Sequence, residues 1–266
     1  MFNLAALEVA LAGTMFEGKL HFSPITDSTN TDALVAAREG AAHGSVYFAD
    51  EQRAGRGRGG HAWHSAAGDG LYVSVLFRPE IPTARLPWLP LVSGLAAAHA
   101  IAATSGLGVD LRWPNDLLIG PRKAGGILVE AHSEASAVAF AVVGIGINVH
   151  QREFYPDLST PATSLDVEAG RSIPRQQLLV SLLESLERET TALADSTAAE
   201  AFAARAESAS TWVSGRKVEV HGPQACIGVT AGLNKHGFLL VRTDEGLVTV
   251  QTGGIRAAEM QMRDVD

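Results

Sequence analysis

VDLRWPNDLLIGPRKAGGILVEAHSEASAVAFAVVGIGINV, residues 109–149, is the stretch that decides the fold. Short turns separate its runs of apolar and β-branched residues, a pattern typical of consecutive antiparallel strands. The last run contains Gly144 and Gly146 and ends near the amide of Asn148, which indicates close approach by a ligand or another backbone. The stretch therefore predicts an antiparallel meander. Its predicted strands are Val109 to Trp113, Leu117 to Ile119, Ile127 to His132 and Val138 to Val149.

Elements on the N-terminal side of the meander alternate between helix and strand. Ser28, Thr29 and Asn30 can cap a helix that has Asp32 in its first turn and Gly40 just past its end. An Ala- and Leu-rich segment further on is typical of a buried helix. The predicted elements are a helix from Thr31 to Glu39, strands from Ser45 to Glu51 and from Leu71 to Arg78, and a helix from Trp88 to Ala103.

The C-terminal side changes from helices to short strands. Pro174 lies near the first turn of a helix with a leucine stripe, and a second helix is predicted from Thr197 to Glu207. From Trp212 onward, β-forming runs between glycine-containing turns predict a small all-β unit. We place a domain boundary near residue 211, giving domains 1–211 and 212–266. The stripe is Leu178, Leu179, Leu182, Leu183 and Leu186; the strands are Arg216 to Val220, Ile227 to Leu233, Phe238 to Arg242 and Leu247 to Gln251.

Composition excludes several classes of protein. The chain has 266 residues, 46% hydrophobic and 19% charged, enough to bury a substantial core. A net charge of -8 without a run of basic residues argues against a nucleic-acid partner. One cysteine, Cys226, excludes an intramolecular disulfide and favours a reducing compartment. Glu8 argues against an export signal, and the longest apolar run, residues 137–147, is shorter than the about 20 residues that span a bilayer. We expect a cytoplasmic protein with no membrane partner.

A glycine- and arginine-rich segment, EQRAGRGRGGHAW at residues 51–63, stands out in this acidic chain. The spacing of Gly55, Gly57 and Gly60 fits a dinucleotide-binding fingerprint, but that motif needs a helix after its glycines, and here more loop and a strand follow. Glycines allow close backbone approach, while Arg56 and Arg58 offer planar forks of donors suited to carboxylate and phosphate oxygens. We interpret this glycine loop as a lid that orders over an anion and has little to pack against without one. A flexible connection with incidental arginines is the alternative.

Polar groups in other segments are unusual for an ordinary core. Residues 28–30, Ser-Thr-Asn, are one such group. Pro114 directs Asn115 and Asp116 toward a cleft, unless those side chains merely bond their own turn. Lys123 begins an otherwise apolar strand, where a lysine can also be an edge charge. Together with the glycine loop, these segments predict one site built from separate parts of the chain.

The motifs STN, AGRGR, WPND, KAGGILVE and GIGIN, in this order, resemble the catalytic core of biotin protein ligases, also called biotin–[acetyl-CoA-carboxylase] ligases. The resemblance covers roughly residues 22–150. It implies an α+β fold with a mixed, largely antiparallel sheet flanked by helices, similar to class II aminoacyl-tRNA synthetases, followed by a small C-terminal β-barrel. It also implies that biotin and ATP, with Mg²⁺, form biotinyl-5'-AMP, and that biotin is then transferred to a lysine of a biotin carboxyl carrier protein.

The resemblance assigns roles to residues of this chain. Lys123, Arg58 and Asp116 are the implied catalytic residues, with Lys123 bridging the biotin carboxylate and the α-phosphate. Asp116 is a candidate for a Mg²⁺ or acceptor-lysine contact, and no dedicated metal cage is visible. The implied biotin-side residues are Ser28, Thr29, Asn30, Gln52, Gly55, Arg56, Gly57, Arg58, Lys123 and Gly126; those on the ATP side are Arg58, His61, Trp63, Asn115, Asp116, Lys123, Asn148 and Arg256.

The chain departs from the family pattern at several positions. The family commonly reads GRGRxGRxW, whereas His61 follows Gly60 here, so one arginine is replaced by a weaker, pH-dependent cation. Arg112 stands where lysine usually precedes WPND, and Ala124 where leucine is frequent. Residues 253–256, GGIR, resemble the family's C-terminal glycine-arginine signature, which makes Arg256 a candidate for a nucleotide or interdomain contact.

Two alternatives to a biotin ligase remain at this point. One is a catalytically idle protein that binds biotin as an effector, and the other is a lipoate or octanoate ligase of the same fold. Some relatives carry an N-terminal helix-turn-helix that binds DNA, but the sequence begins only 27 residues before Ser28, so we expect a ligase without one. Whether the chain forms a homodimer is left open.

Overall fold

The structure is a computed structural model that describes residues 2–134, 137–156, 158–194 and 198–258. The helices are α1 Leu4–Ala10, α2 Thr29–Arg38, α3 Trp88–Ser105, α4 Leu165–Ala169, α5 Arg175–Ala192 and α6 Ala198–Ser208. The strands are β1 Leu20–Thr26, β2 Ser45–Gln52, β3 Gly70–Phe77, β4 Asp110–Arg112, β5 Asp116–Ile119, β6 Arg122–Glu134, β7 Ala137–Asn148, β8 Ser214–His221, β9 Cys226–Leu233, β10 Leu239–Thr243, β11 Gly246–Val250 and β12 Gly254–Ala257.

A seven-stranded sheet forms the centre of the molecule, in the order β1-β2-β3-β7-β6-β5-β4. The predicted meander is confirmed, because β4, β5, β6 and β7 pair antiparallel in chain order. Strand β7 then pairs antiparallel with β3, and β3 with β2, while β1 joins β2 in parallel. The sheet is therefore mixed and largely antiparallel, as expected. Its glycines Gly144 and Gly146 lie in a central strand, with β3 on one side and β6 on the other.

The N-terminal part differs from the sequence prediction in two ways. Helix α1 and strand β1 were not predicted. Strand β1 contains Pro24, which is tolerated because β1 lies at the sheet edge and has only one neighbouring strand to bond. Helix α2 begins at Thr29, so Thr29 and Asn30 lie inside the helix, and Ser28 at its N-cap makes no side-chain capping bond. Of the three predicted capping residues, only Ser28 occupies the N-cap, while the Thr29 and Asn30 side chains bond to strands β3 and β6.

Helices α3 and α5 cover one face of the sheet and contact each other. The leucine stripe predicted for α5 is fully buried, and Pro174 lies at its N-cap. Helix α3 is long and apolar enough to span a membrane by length and composition alone, but 61% of it is buried inside the protein, as in a core helix. The predicted second helix is α6; Thr197, its predicted first residue, lies outside the described residues.

The C-terminal strands form a separate five-stranded antiparallel sheet, in the order β11-β10-β9-β8-β12. Within the described part of the chain, β11 and β12 are its two edges and do not pair with each other. The indoles of Trp88 and Trp113 donate hydrogen bonds to the carbonyls of Lys235 and Gly237, each at 3.2 Å. The small sheet is thus packed against the larger unit through buried tryptophans, and the boundary near residue 211 stays a prediction.

Candidate active site

A cleft opens where the start of α2, the glycine loop and strands β6 and β7 meet, with about 470 Å³ of empty space when its opening to solvent is included. Its position follows from topology, since the two longest strands of the meander run side by side beneath the loop. Most of the site residues predicted from the sequence line this one cleft. They are Ser28, Thr29, Asn30, Gln52, Arg56, Gly57, Arg58, Trp63, Asn115, Lys123 and Gly126.

One end of the cleft is cationic. The ammonium of Lys123 lies 2.5 Å from Asp116 Oδ1, and Arg112 Nη2 lies 2.6 Å from Asp116 Oδ2. Burial alone would raise the pKa of Asp116, but attraction to Lys123 and Arg112, with their hydrogen bonds, lowers it below its usual range. Asp116 is therefore a carboxylate at neutral pH. It fixes the Lys123 ammonium at the cleft wall while leaving that side chain 27% exposed.

Trp63 lies flat between the cationic end and the glycines of the meander. The Lys123 Nζ lies 5.5 Å from the centre of its indole ring, within range of a cation–π interaction. A Cβ on Gly146 would overlap the indole, so this strand position must be glycine for the ring to lie there. The Trp63 Nε1 is buried and, among the described residues, has no hydrogen-bond acceptor.

The other end of the cleft is lined by the neutral polar side chains of Thr29, Asn30 and Gln52. Gln52 Oε1 accepts a hydrogen bond of 2.9 Å from the Thr29 backbone N–H, and the Thr29 and Ser74 hydroxyl oxygens lie 2.8 Å apart. Ser74 donates at 2.6 Å to Asn30 Oδ1. A Cβ at Gly144 would overlap that same oxygen, which explains the first glycine of the GIGIN motif. This end can exchange hydrogen bonds with a neutral polar ligand group.

The glycine loop is closed over the cleft by its own arginines. Arg56 forms two hydrogen bonds with the Glu130 carboxylate on β6, at 3.0 and 2.7 Å. Arg58 donates at 2.8 Å to Thr252 Oγ1 and, through Nη1, to the Gly253 carbonyl of the small sheet's last turn. Burial lowers the pKa of Arg58, whereas nearby Asp116 favours its charged form. The expectation that the loop has little to pack against without an anion is wrong, because both guanidinium groups have protein partners.

The remaining predicted site residues do not line the cleft. Gly55 is buried behind it, where a Cβ would overlap the Trp63 carbonyl. Asp116 acts on it through its ion pair with Lys123 and its attraction to Arg58. His61 is exposed, and its carbonyl accepts a bond of 2.7 Å from Gly57 N–H. Asn148 donates at 2.9 Å to the Thr163 carbonyl, and Arg256 is exposed on β12.

Three contributors to the site were not assigned by sequence reasoning. Glu130 belongs to the KAGGILVE motif, but nothing in the motif shows that it binds Arg56 and Asn30. Ser74 is fully buried in β3, and its polar character within an apolar strand is the only signal it gave. Thr252 lies in an exposed turn and gave none.

Residues 22–148 match the model of the biotin/lipoate A/B protein ligase family. The chain is also 34% identical over 238 residues to the biotin–[acetyl-CoA-carboxylase] ligase of Mycobacterium tuberculosis, an alignment that covers 86% of this chain and 85% of that one. The chain belongs to the biotin/lipoate A/B protein ligase family. The matched residues contain the cleft's lining, from Ser28 to Gly146.

Further relatives of the family show how much of their length this chain shares. It is 37% identical over 171 residues to the bifunctional ligase/repressor BirA of Bacillus spizizenii, which is 64% of this chain and 53% of that one. The chain thus spans about half the length of that relative. A solved structure of the biotin protein ligase from Aquifex aeolicus, in complex with biotin and ATP, superimposes with a TM-score of 0.78 at 30% identity, covering 91% of this chain and 100% of that one.

Proposed function

We propose that this chain is an ATP-dependent biotin protein ligase that acts in the cytoplasm. The observation that carries the proposal is the arrangement of one cleft: Lys123 and Arg58 supply positive charge at one end, and Thr29, Asn30 and Gln52 supply neutral polar groups at the other. A ligand that has a carboxylate at one end and a polar ring at the other fits this arrangement. The Aquifex aeolicus relative was solved with biotin and ATP, which are the substrates we propose here.

In the first half-reaction, a biotin carboxylate oxygen attacks the α-phosphorus of ATP. The new carboxyl–phosphate bond forms as the bond to the β-phosphate oxygen breaks, giving biotinyl-5'-AMP and pyrophosphate. Two anions must approach each other, so catalysis requires cations placed where negative charge gathers. Lys123 is held beside the cleft by Asp116 for this purpose, and Arg58 is the second cation within reach.

In the second half-reaction, a lysine amine of a carrier protein attacks the acyl carbon. The amide bond forms, the acyl–phosphate bond breaks, AMP leaves and the amine loses a proton. The mixed anhydride must be shielded from water before the lysine arrives. The glycine loop supplies that cover, because Arg56 and Arg58 tie it to opposite sides of the cleft.

Magnesium would enter with the nucleotide phosphates. Across residues 2–134, 137–156, 158–194 and 198–258, no group of three or more His, Cys, Asp or Glu side chains could hold a metal ion. Asp116, the residue implied as a Mg²⁺ contact, is already paired with two cations. The described part of the chain thus forms no protein cage for the ion.

The two alternative activities fit this site less well. A lipoate or octanoate ligase would bind an apolar ring or chain, which would offer no partner to the hydrogen-bonding capacity that Thr29, Asn30 and Gln52 do not use within the protein. An idle effector-binding protein would need no cation at the reacting junction, yet Lys123 and Arg58 are both in place.

The decisive assay incubates the chain with ATP, Mg²⁺ and equal concentrations of biotin and lipoate, and detects the acyl-AMP by mass spectrometry. We expect biotinyl-5'-AMP with little or no lipoyl-AMP. Lipoyl-AMP as the main product would establish the alternative ligase. Tight binding of biotin without any adenylate would establish the effector-binding protein.

A further inference from the structure

A chain of hydrogen bonds crosses the polar end of the cleft and joins the two ends of the glycine loop. It starts at Ser65, which follows the loop, and ends at Arg56 within it. Its inner members come from four elements, α2, β2, β3 and β6. The successive members are Ser65, Gln52, Thr29, Ser74, Asn30, Glu130 and Arg56, with separations of 2.8, 2.9, 2.8, 2.6, 2.9 and 2.7 Å, where the bond between Gln52 and Thr29 is made by the Thr29 backbone N–H.

Glu130 determines the direction of this chain at one end. Its two oxygens only accept hydrogen bonds, and they are already engaged by both Nη atoms of Arg56. The amide nitrogen of Asn30 must therefore face Glu130, to which it donates at 2.9 Å. The amide oxygen of Asn30 is left to face Ser74, which donates to it at 2.6 Å.

The donor in each further hydrogen bond then follows from the bond before it. Ser74 has one hydroxyl hydrogen, and Asn30 uses it, so the contact of 2.8 Å between Ser74 and Thr29 requires Thr29 to be the donor. Thr29 then has no hydrogen for Gln52 Oε1, which instead accepts the Thr29 backbone N–H at 2.9 Å. Gln52 spends one amide hydrogen on Ser65 at 2.8 Å.

The donors and acceptors that this chain of hydrogen bonds leaves unused form a set with a definite polarity. Thr29 Oγ1 and Asn30 Oδ1 keep unused acceptor capacity, and Gln52 Nε2 keeps one unused hydrogen. All three side chains line the cleft. Two acceptors and one donor complement a cyclic urea, which offers two N–H donors and one carbonyl oxygen.

We propose that Glu130 and Ser74 are positioning residues that set the hydrogen-bond polarity of this end of the cleft. That polarity selects a ligand ring with two N–H groups beside one carbonyl. The inference rests on the proposed biotin ligase function and extends it to residues that contact the ligand only through Thr29 and Asn30. Neither Glu130 nor Ser74 takes part in the chemistry.

The test compares the dissociation constants of biotin and of an analogue in which an oxygen atom replaces one ring N–H, by titration calorimetry without ATP. The unmodified chain should prefer biotin by at least about tenfold, since the replacement sets two acceptors against each other. In Glu130→Gln, the Asn30 amide can rotate by half a turn and the chain of hydrogen bonds can reverse its direction. The preference for biotin over the analogue should therefore fall to within about threefold of unity. Ser74→Ala leaves Glu130 to orient Asn30 but frees the Thr29 hydroxyl to rotate, so the preference should fall part of the way, to about threefold.

Arg56→Gln is the matched control, because it removes the ion pair but leaves the Glu130 carboxylate to orient Asn30. Its biotin affinity falls as the loop loosens, while the preference over the analogue should stay within about twofold of the unmodified value. An unchanged preference in both Glu130→Gln and Ser74→Ala overturns the inference, as does an equal loss in Arg56→Gln. If Glu130→Gln does not fold, as judged by circular dichroism, Ser74→Ala decides. An unmodified chain that binds no biotin refutes the proposed function itself.

Discussion

Lys123 carries the largest share of the proposed chemistry at the scale of single residues. Lys123→Ala should reduce pyrophosphate release in the presence of ATP and biotin by about 10²–10³-fold, because one preorganised cation is lost where negative charge develops. The fold should persist, since Arg112 still neutralises Asp116. Lys217→Ala, which removes an exposed lysine of β8, is the control and should release pyrophosphate at the normal rate. A normal rate in Lys123→Ala would remove this residue from the mechanism.

Asp116 makes the free energy of unfolding depend on pH. Its folded-state pKa lies below the unfolded value, so it contributes stability above about pH 3.9, and that contribution is lost as the pH falls through the folded pKa. Asp116→Asn should lower the free energy of unfolding at pH 7 by about 2–3 kcal/mol, because the buried Arg112 and the partly exposed Lys123 lose their shared partner.

The measurement is thermal or urea unfolding from pH 7 down to pH 3. The difference between Asp116→Asn and the unmodified chain should shrink across the acidic part of this range. The exposed Asp244 offers a control, since Asp244→Asn should change stability by no more than about 0.5 kcal/mol at any pH. A constant difference for Asp116→Asn would show that its carboxylate is not stabilised by Lys123 and Arg112.

At the scale of elements, the glycine loop is the part that we propose to shield the intermediate. Arg58→Gly should shorten the dissociation half-life of biotinyl-5'-AMP by about tenfold or more, because charge-assisted bonds of the guanidinium are lost. Adenylation should be partly retained. The half-life is measured by diluting the preformed complex and following the release of biotinyl-5'-AMP over time. The control is Arg53→Gly, which removes an exposed arginine just before the loop glycines. An unchanged half-life would contradict the shielding role.

The elements also show what sequence reasoning can and cannot reach. The meander was predictable because turns and β-forming runs alternate locally between residues 109 and 149, and the structure confirms each strand pairing. Strand β1 was missed because proline, here Pro24, is rare in strands. In addition, β1 pairs in parallel with β2, so no hairpin turn between the two strands marks it in the sequence. Glu130 was placed in a motif but not given a role, since its partners Asn30 and Arg56 are 100 and 74 residues away. Contacts over such distances depend on the sheet order, which a single sequence does not encode locally.

At the scale of the whole molecule, the small sheet contributes to the site as well as to the core. Its last turn binds Arg58, and Arg112, which anchors Asp116, lies 5.3 Å over the ring of Trp212. We expect the two units to unfold together in one calorimetric transition, because Trp88 and Trp113 are buried against the small sheet. Two separate transitions would show that the small sheet is an independent domain.

The most direct test of the central claim is a crystal structure of the chain with biotinyl-5'-AMP. The claim is that cations from separate segments meet at the junction between biotin and nucleotide. We predict Lys123 Nζ and the Arg58 guanidinium within about 3.2 Å of the acyl-phosphate oxygens, with the ring of biotin at Thr29, Asn30 and Gln52. An acyl-phosphate bound out of reach of Lys123, or a ligand in the reverse direction, would contradict it.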